Sequence, residues 1–329
     1  MMVIRSKLVV EAGVYGLDFW FLSEIKHGGV IIRPVKDFEA VREKLGSAHD
    51  HLLTGVASVE IPNNVDKHQA IEFARKELED YSLLLSFAQG RNIFFRGFKL
   101  FKHEEGRKEF LSSVNHSTRT GFPVSHGAIV YQDGLQGFLA TGIPLLRDEE
   151  HNKRTGLRRA MLFYNEALFL SSGAIEIRMV TLYAGLEVLS NKHHEVSPLT
   201  PVVTDDELRS ITERIKHHLN ELKLDKSKQD RILGGVGSIL APSMKEKTIH
   251  LLNDLGLPSY KKEVEKMVQL RNDLLHGREP TTYDGDNVIT LTFKLERLLQ
   301  KIFLKILNFY DKERYIHSAV LNNNLEARF

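Results

Sequence analysis

Arg271-Asn272-Asp273-Leu274-Leu275-His276-Gly277 is the stretch on which the reading of this chain turns. It closes an amphipathic segment over 259–275, and Gly277 suits the left-handed residue just past a helix C-terminus. An Arg and a His in one site suit chemistry on a phosphodiester. Arg stays charged and grips phosphate oxygens in pairs, and His gives or takes a proton near neutral pH. RNA carries its own nucleophile, the 2′-OH, so a base, an acid and a group that stabilises the charge on phosphorus suffice. Spacing alone does not single the stretch out. Arg42/His49, Arg96/His103 and Arg119/His126 have similar gaps, as expected by chance from 21 Arg and 15 His. Only Arg271/His276 combines a helix, an amide after the Arg and a closing Gly. Five residues of helix turn about 140°, so Arg271 and His276 do not share a face, whereas Asn272 and His276 do. The two converge if the Arg reaches around, or if the helix stops before His276. A second copy across a two-fold axis would complete the site.

Outward from this stretch the chain reads as helix in both directions. Leu157, Met161, Tyr164 and Leu168 form one apolar stripe, and Met179, Leu182, Tyr183, Leu186 and Leu189 form a second. Thr204/Glu207 and Ser243/Glu246 fit capping boxes that open further helices. A weaker helix runs over 225–240, and a long one after Gly285 carries Val288, Leu291, Leu295, Leu298, Ile302, Ile306 and Phe309. About six helices with short connections make a bundle over 150–317, with a frayed tail over 318–329.

The first half differs. Segments 2–11, 14–22, 29–35, 53–61, 93–101 and 128–131 read as strands divided by Gly, Pro and Asn, and 66–88 reads as a helix ended by Gly90. This is an α+β domain over 1–145 with a partly antiparallel sheet. Gly142-Ile143-Pro144 and the charged run that follows mark the expected boundary.

Composition agrees with two such units. The chain has 329 residues, 27% charged and 42% hydrophobic, which is ordinary globular composition. It has no Cys, which excludes disulfides, thiolate nucleophiles and Cys-based zinc sites. The net charge of +2 conceals 18 basic and 20 acidic residues over 1–150 against 27 and 23 after it, which favours the second half for an anion. No secretory segment or bilayer-length apolar run is visible, so the expected location is cytoplasmic, with no membrane partner.

Residues 271–277, RNDLLHG, resemble the Arg-Asn-x-x-x-His motif of the HEPN superfamily, which is helical and includes many metal-independent ribonucleases. Residues 177–191, IRMVTLYAGLEVLSN, resemble the second helix of the ApeA-like HEPN group, and the layout of an α+β module before a helical bundle is similar too. The resemblance covers roughly residues 150–315. It implies Arg271 and His276 as the catalytic pair, Asn272 as the residue that orients them, and Glu187 as an acidic residue directed at the site. It implies a homodimer that cuts RNA to leave a cyclic phosphate without a cofactor. It also suggests a role in antiviral defence or toxin action, with a phage- or stress-derived trigger at the N-terminal domain. Some members have lost activity, so a non-catalytic RNA-binding, nucleotide-binding or dimerisation module remains the alternative.

Plainer readings stand beside these. Arg271 could pair with Asp273 or Glu265, and His276 could cap the helix and meet its dipole. Glu187 stands either near a site or at the solvent edge. Arg278, Arg158 and Arg159 could track an RNA backbone or simply face water. His193-His194 and His217-His218 read as surface or structural histidines rather than metal ligands. Gly234-Gly235-Val236-Gly237 lacks the context of a phosphate loop. The aromatics Phe19, Trp20, Phe94, Phe95 and Phe98 read as core rather than a stacking platform.

Overall fold

The computed structural model describes residues 7–18, 24–45, 52–104, 107–117, 128–170, 174–200, 204–222, 224–258, 260–280 and 282–322. The first of these segments is a strand, β1 (Lys7–Tyr15), with Val10, Ala12 and Val14 directed inward by the two-residue period of a pleated strand. It lies near the middle of a six-stranded sheet with β2 (Ile25–His27), β3 (Val30–Pro34), β4 (Leu53–Ile61), β5 (Phe94–Glu104) and β6 (Arg107–Ser117). The order is β2-β3-β4-β1-β5-β6, and every pairing is antiparallel rather than partly so. Two details differ from expectation. Gly13 lies inside β1 instead of dividing two strands. A Cβ there would stand 2.9 Å from Leu53 Cδ1, and the register against β5 shifts at this point, so glycine serves a bulge. β1 ends two residues later, where Gly16 takes a φ of +82°. β6, Arg-Lys-Glu-Phe-Leu-Ser-Ser-Val-Asn-His-Ser, is a polar edge strand with little apolar alternation to betray it.

The sheet carries α1 (Phe38–Leu45) and α2 (Ala70–Gln89), the latter ended by left-handed Gly90 as expected. The remaining helices are α3 (Gln132–Arg147), α4 (Glu149–Thr155), α5 (Leu157–Phe169), α6 (Ile175–Val196), α7 (Asp205–Glu221), α8 (Lys226–Leu240), α9 (Met244–Asp254), α10 (Lys261–Leu275), α11 (Val288–Ile306) and α12 (Ser318–Leu321). Both capping boxes form, at Thr204/Glu207 and Ser243/Glu246. The weak helix over 225–240 is α8, and Gly234 and Gly235 lie within it. Residues 318–321 are ordered helix with Val320 buried, not a frayed tail, while 323–329 lie outside the described residues.

The transition from sheet to helices also differs. The segment 128–131 joins no sheet. Val130 bridges to Ile316, and Tyr131 N–H donates to the Tyr315 carbonyl at 2.7 Å. Gln132-Asp133-Gly134 then opens α3 instead of closing a strand. Gly142-Ile143-Pro144 lies inside that helix. A Cβ on Gly142 would stand 3.0 Å from Leu84, so the glycine lets α3 approach α2 closely.

α2 therefore faces the sheet on one side and α3 and α5 on the other. Phe87 of α2 stacks with Phe138 of α3 at 5.9 Å. It meets Tyr164 of α5 and Phe303 of α11 edge-on, each at 5.5 Å. Asp80 of α2, buried, takes Arg147 at 2.9 Å and Arg158 at 2.6 Å. The apolar core runs from the sheet through these helices without a break. Phe94, Phe95 and Phe98 belong to buried structure as expected, whereas Phe19 and Trp20 lie outside the described residues.

Within the helices, Arg178 of α6 pairs with Glu296 of α11, both buried. Glu296 also accepts from Gln300 Nε2 at 3.2 Å, and that same nitrogen lies 2.7 Å from the Tyr164 hydroxyl. Removing one member of such a pair strands a buried charge. Arg178→Met should cost about 3–5 kcal/mol in denaturant unfolding, and adding Glu296→Leu should recover part of it. Equal costs for the single and double variants would contradict this.

Lys301 of α11 is also buried, and its ammonium donates to the Asn322 carbonyl at 2.6 Å. Burial, then Arg297, brings its pKa down from 10.5 to about 8. Between these values the unfolded chain holds a proton that the folded chain has released, so this residue makes stability rise with pH. The stability of wild type relative to Lys301→Met should therefore increase from about pH 8 to pH 10, measured by denaturant midpoints. A flat difference would refute the shift.

Candidate functional site

The site is built on α6 and α10, which pack against each other. α10 ends at Leu275, and His276 is its C-cap with φ −94° and ψ 8°. Gly277 takes φ +66°, its N–H donates to the Leu274 carbonyl at 3.3 Å, and Arg278 N–H donates to the Asp273 carbonyl at 2.9 Å. These two bonds make a Schellman ending, which only a left-handed residue at 277 allows without strain. His276 N–H still donates to the Asn272 carbonyl at 3.0 Å, so the chain leaves the helix only at Gly277, and no contact among the described residues joins His276 to Arg271. The imidazole is exposed, and no hydrogen bond holds it among the described residues.

Arg271 reaches across to α6. Its Nη2 donates to Glu187 Oε1 at 2.8 Å, and its Nη1 donates to Asn272 Oδ1 at 3.1 Å. The guanidinium lies 5.6 Å from the centre of the Tyr183 ring, which is buried beneath it. Burial, then Glu187, pushes the Tyr183 phenol well above its ordinary pKa, so it stays protonated as a neutral platform. Arg271 and Glu187 each keep about 30% of their side-chain surface in solvent. Arg271, Asn272 and Glu187 are therefore brought together, and Tyr183 is the member that sequence reading assigned only to an apolar stripe.

The plainer partners for Arg271 do not apply. Glu265 pairs with Lys245 at 2.6 Å. Asp273 accepts from the Tyr283 hydroxyl at 2.9 Å and from Arg278 at 3.3 Å. Arg278 is otherwise exposed. The turn beyond it is anchored by Asp286, held between Lys266 at 2.9 Å and Lys294 at 2.8 Å. Burial opposes charging Asp286, but the two lysines outweigh it and hold the carboxyl below its usual range.

Arg158 and Arg159 part company. Arg158 is engaged by Asp80 on α2. Arg159 lines an open groove of about 430 Å³ with Gly156, Phe163, Glu187, Asn191 and Lys192. The groove therefore meets the Arg271 site at Glu187, with cations at Arg159 and Lys192. No described helix is long and apolar enough to cross a membrane.

The histidine pairs also differ from each other. His217 and His218 both face Glu221 from an exposed stretch of α7, at 3.3 and 3.0 Å, as surface histidines. His193 is joined by His250 and Asp254 of α9, residues that no local spacing connects to it.

No protein-family model, curated protein or solved structure matches this chain.

If the Arg271–Glu187 pair serves a site rather than the fold, its loss is cheap. Ion pairs in contact with solvent contribute about 1 kcal/mol or less. Glu187→Gln should lower stability by no more than that in denaturant unfolding. A loss of several kcal/mol would make the pair a structural pin.

Proposed function

We propose that the chain is a metal-independent endoribonuclease of the HEPN type that acts as a homodimer. The observation that carries this reading is the Arg271–Glu187 pair at 2.8 Å, with Asn272 bonded to the same guanidinium. This is the acidic contact from the second helix that the resemblance of 271–277 and 177–191 implies. An exposed His276 at the helix end supports it, since a proton-transfer group needs access to its substrate.

In this reading His276 takes the proton from a ribose 2′-OH. The 2′-oxygen bonds to phosphorus, and the bond from phosphorus to the 5′-oxygen breaks. The departing 5′-oxygen receives a proton from the partner copy's equivalent histidine or from water. Arg271 stabilises the five-coordinate phosphorus, and the products are a 2′,3′-cyclic phosphate and a free 5′-hydroxyl. Arg159 supplies charge along the groove for the flanking RNA backbone, whereas Lys192 is paired with Glu195 at 2.6 Å. A second copy would find apolar surface in the exposed Ile177, Leu275 and Ile289, which sit on the mutually packed helices α6, α10 and α11. The N-terminal α+β region would then sense a phage- or stress-derived trigger.

The satisfied state of Arg271 favours one rival, a module that binds RNA or nucleotide without cutting it. The two separate by incubating purified chain with RNA in EDTA, with folding checked by circular dichroism. Wild type should release cyclic-phosphate ends. Arg271→Ala and His276→Ala should each lose roughly 100-fold or more in rate. Cleavage that survives both substitutions overturns the enzyme reading. Intact RNA that stays bound selects the rival.

A further inference from the structure

The C-terminal end of α6 meets α9 in a cluster that owes nothing to the Arg271 pair. His193 Nε2 stands 2.9 Å from Asp254 Oδ2, and His250 Nε2 stands 3.8 Å from the same oxygen. All three ligand atoms lie within 4.8 Å of one another. His250 and Asp254 are four residues apart on α9 and share one face, a spacing that presents two ligands to one ion. The third comes from a different helix. A metal bonded to nitrogen and oxygen at tetrahedral angles sets its ligand atoms roughly 3.3 Å apart, given bonds of about 2.0–2.1 Å. The two measured separations bracket that value. We propose that His193, His250 and Asp254 form a binding site for a divalent transition metal of the zinc class.

The donor set selects the ion class. Two imidazoles and one carboxylate suit zinc and its neighbours, whereas magnesium and calcium demand more oxygen ligands. The imidazoles are each about 20% exposed and the carboxylate 44%, so the ion has a route in and a fourth position open to water. Ser197 borders that position. Its hydroxyl lies 3.1 Å from His250 Nε2 and 3.3 Å from Asp254 Oδ2, placed to hydrogen-bond a bound water. Without metal, His250 Nε2 faces the Ser197 carbonyl at 2.9 Å, so coordination requires the ring proton on Nδ1 and a turn of the ring that takes Nε2 off that carbonyl. The backbone around Ser197 is already set. Ser197 N–H donates to the His193 carbonyl at 2.7 Å, and Leu199 N–H donates to His194 Nδ1 at 3.2 Å. The ion would clip the end of α6 to α9.

The test uses the whole chain, stripped with chelator and checked for folding. Zinc is titrated against a chromophoric competitor, cobalt(II) is followed by its visible absorption, and Tm is read with and without zinc. Wild type should bind one equivalent, develop the intense visible bands of tetrahedral cobalt, and gain several degrees in Tm at roughly 100 times Kd. His193→Gln, His250→Gln and Asp254→Asn should each lose more affinity than the roughly 10–100-fold that an outer partner costs. His217→Gln should bind as wild type does. Unchanged binding in the three ligand variants, or a folded wild type that takes up no zinc or cobalt, reduces the cluster to a hydrogen-bonded contact and overturns the proposal.

Discussion

The buried ion pair between Arg178 and Glu296 sets the rotation of α6, and the rest of the helical half depends on that rotation. α6 packs against α4, α5, α9, α10 and α11, so contacts beyond its apolar stripe decide which neighbour each face meets. Polar contacts tie it to three of these neighbours. Arg178 binds α11, Glu187 binds α10, and Ser190 bonds to Thr248 of α9 at 3.0 Å. Glu187 is nine residues beyond Arg178, about half a turn around the helix. Fixing the arginine against α11 thus turns the glutamate towards α10. A buried charge pair is a costly way to gain stability, but it tolerates little rotation, because a slip strands both charges.

A second seam lies along α2. Towards the sheet, Tyr81 donates to the His27 carbonyl at 2.9 Å and Ser82 donates to the Ile93 carbonyl at 2.5 Å, while the side towards α3 and α5 carries Asp80 and the carbonyl of Leu83, which accepts from Asn165 at 2.9 Å. The aromatic group around Phe87 fills the space between. The passage from sheet to helices is therefore a packed contact. Gly142 and Pro144, which resemble linker residues in sequence, sit within α3, where the first admits Leu84.

Local signals were readable where one segment decides its own conformation. The capping boxes at Thr204 and Ser243, the ends at Gly90 and Gly277, and the apolar stripes of α5 and α6 each need only neighbours along the chain. Gly13 misled because a glycine in a strand signals a break as readily as a bulge. β6 was silent because an edge strand facing water has no reason to alternate. At the candidate site, Arg271 and Asn272 stand out within their own stretch, whereas Glu187 is joined to them only through a resemblance, because residues 84 apart in the chain lie beyond any local spacing. Tyr183 and the His193 cluster went unseen for the same reason, since their partners arrive on other helices.

Arg271 and His276 are held in different ways, and the difference suits the separate roles proposed for them. Arg271 is fixed by Glu187, Asn272 and the Tyr183 ring, so little side-chain freedom remains to be lost when a phosphate arrives. Glu187 competes for the charge, but its side chain keeps about 30% of its surface in water, where the competition is weakened. At His276 it is the backbone that is fixed. The Schellman bonds, the Asp273–Tyr283 bond and the lysines on Asp286 hold the turn, while the imidazole stays exposed. A charge clamp gains from a rigid side chain, whereas a proton carrier gains from a rigid base and a side chain free to meet its substrate.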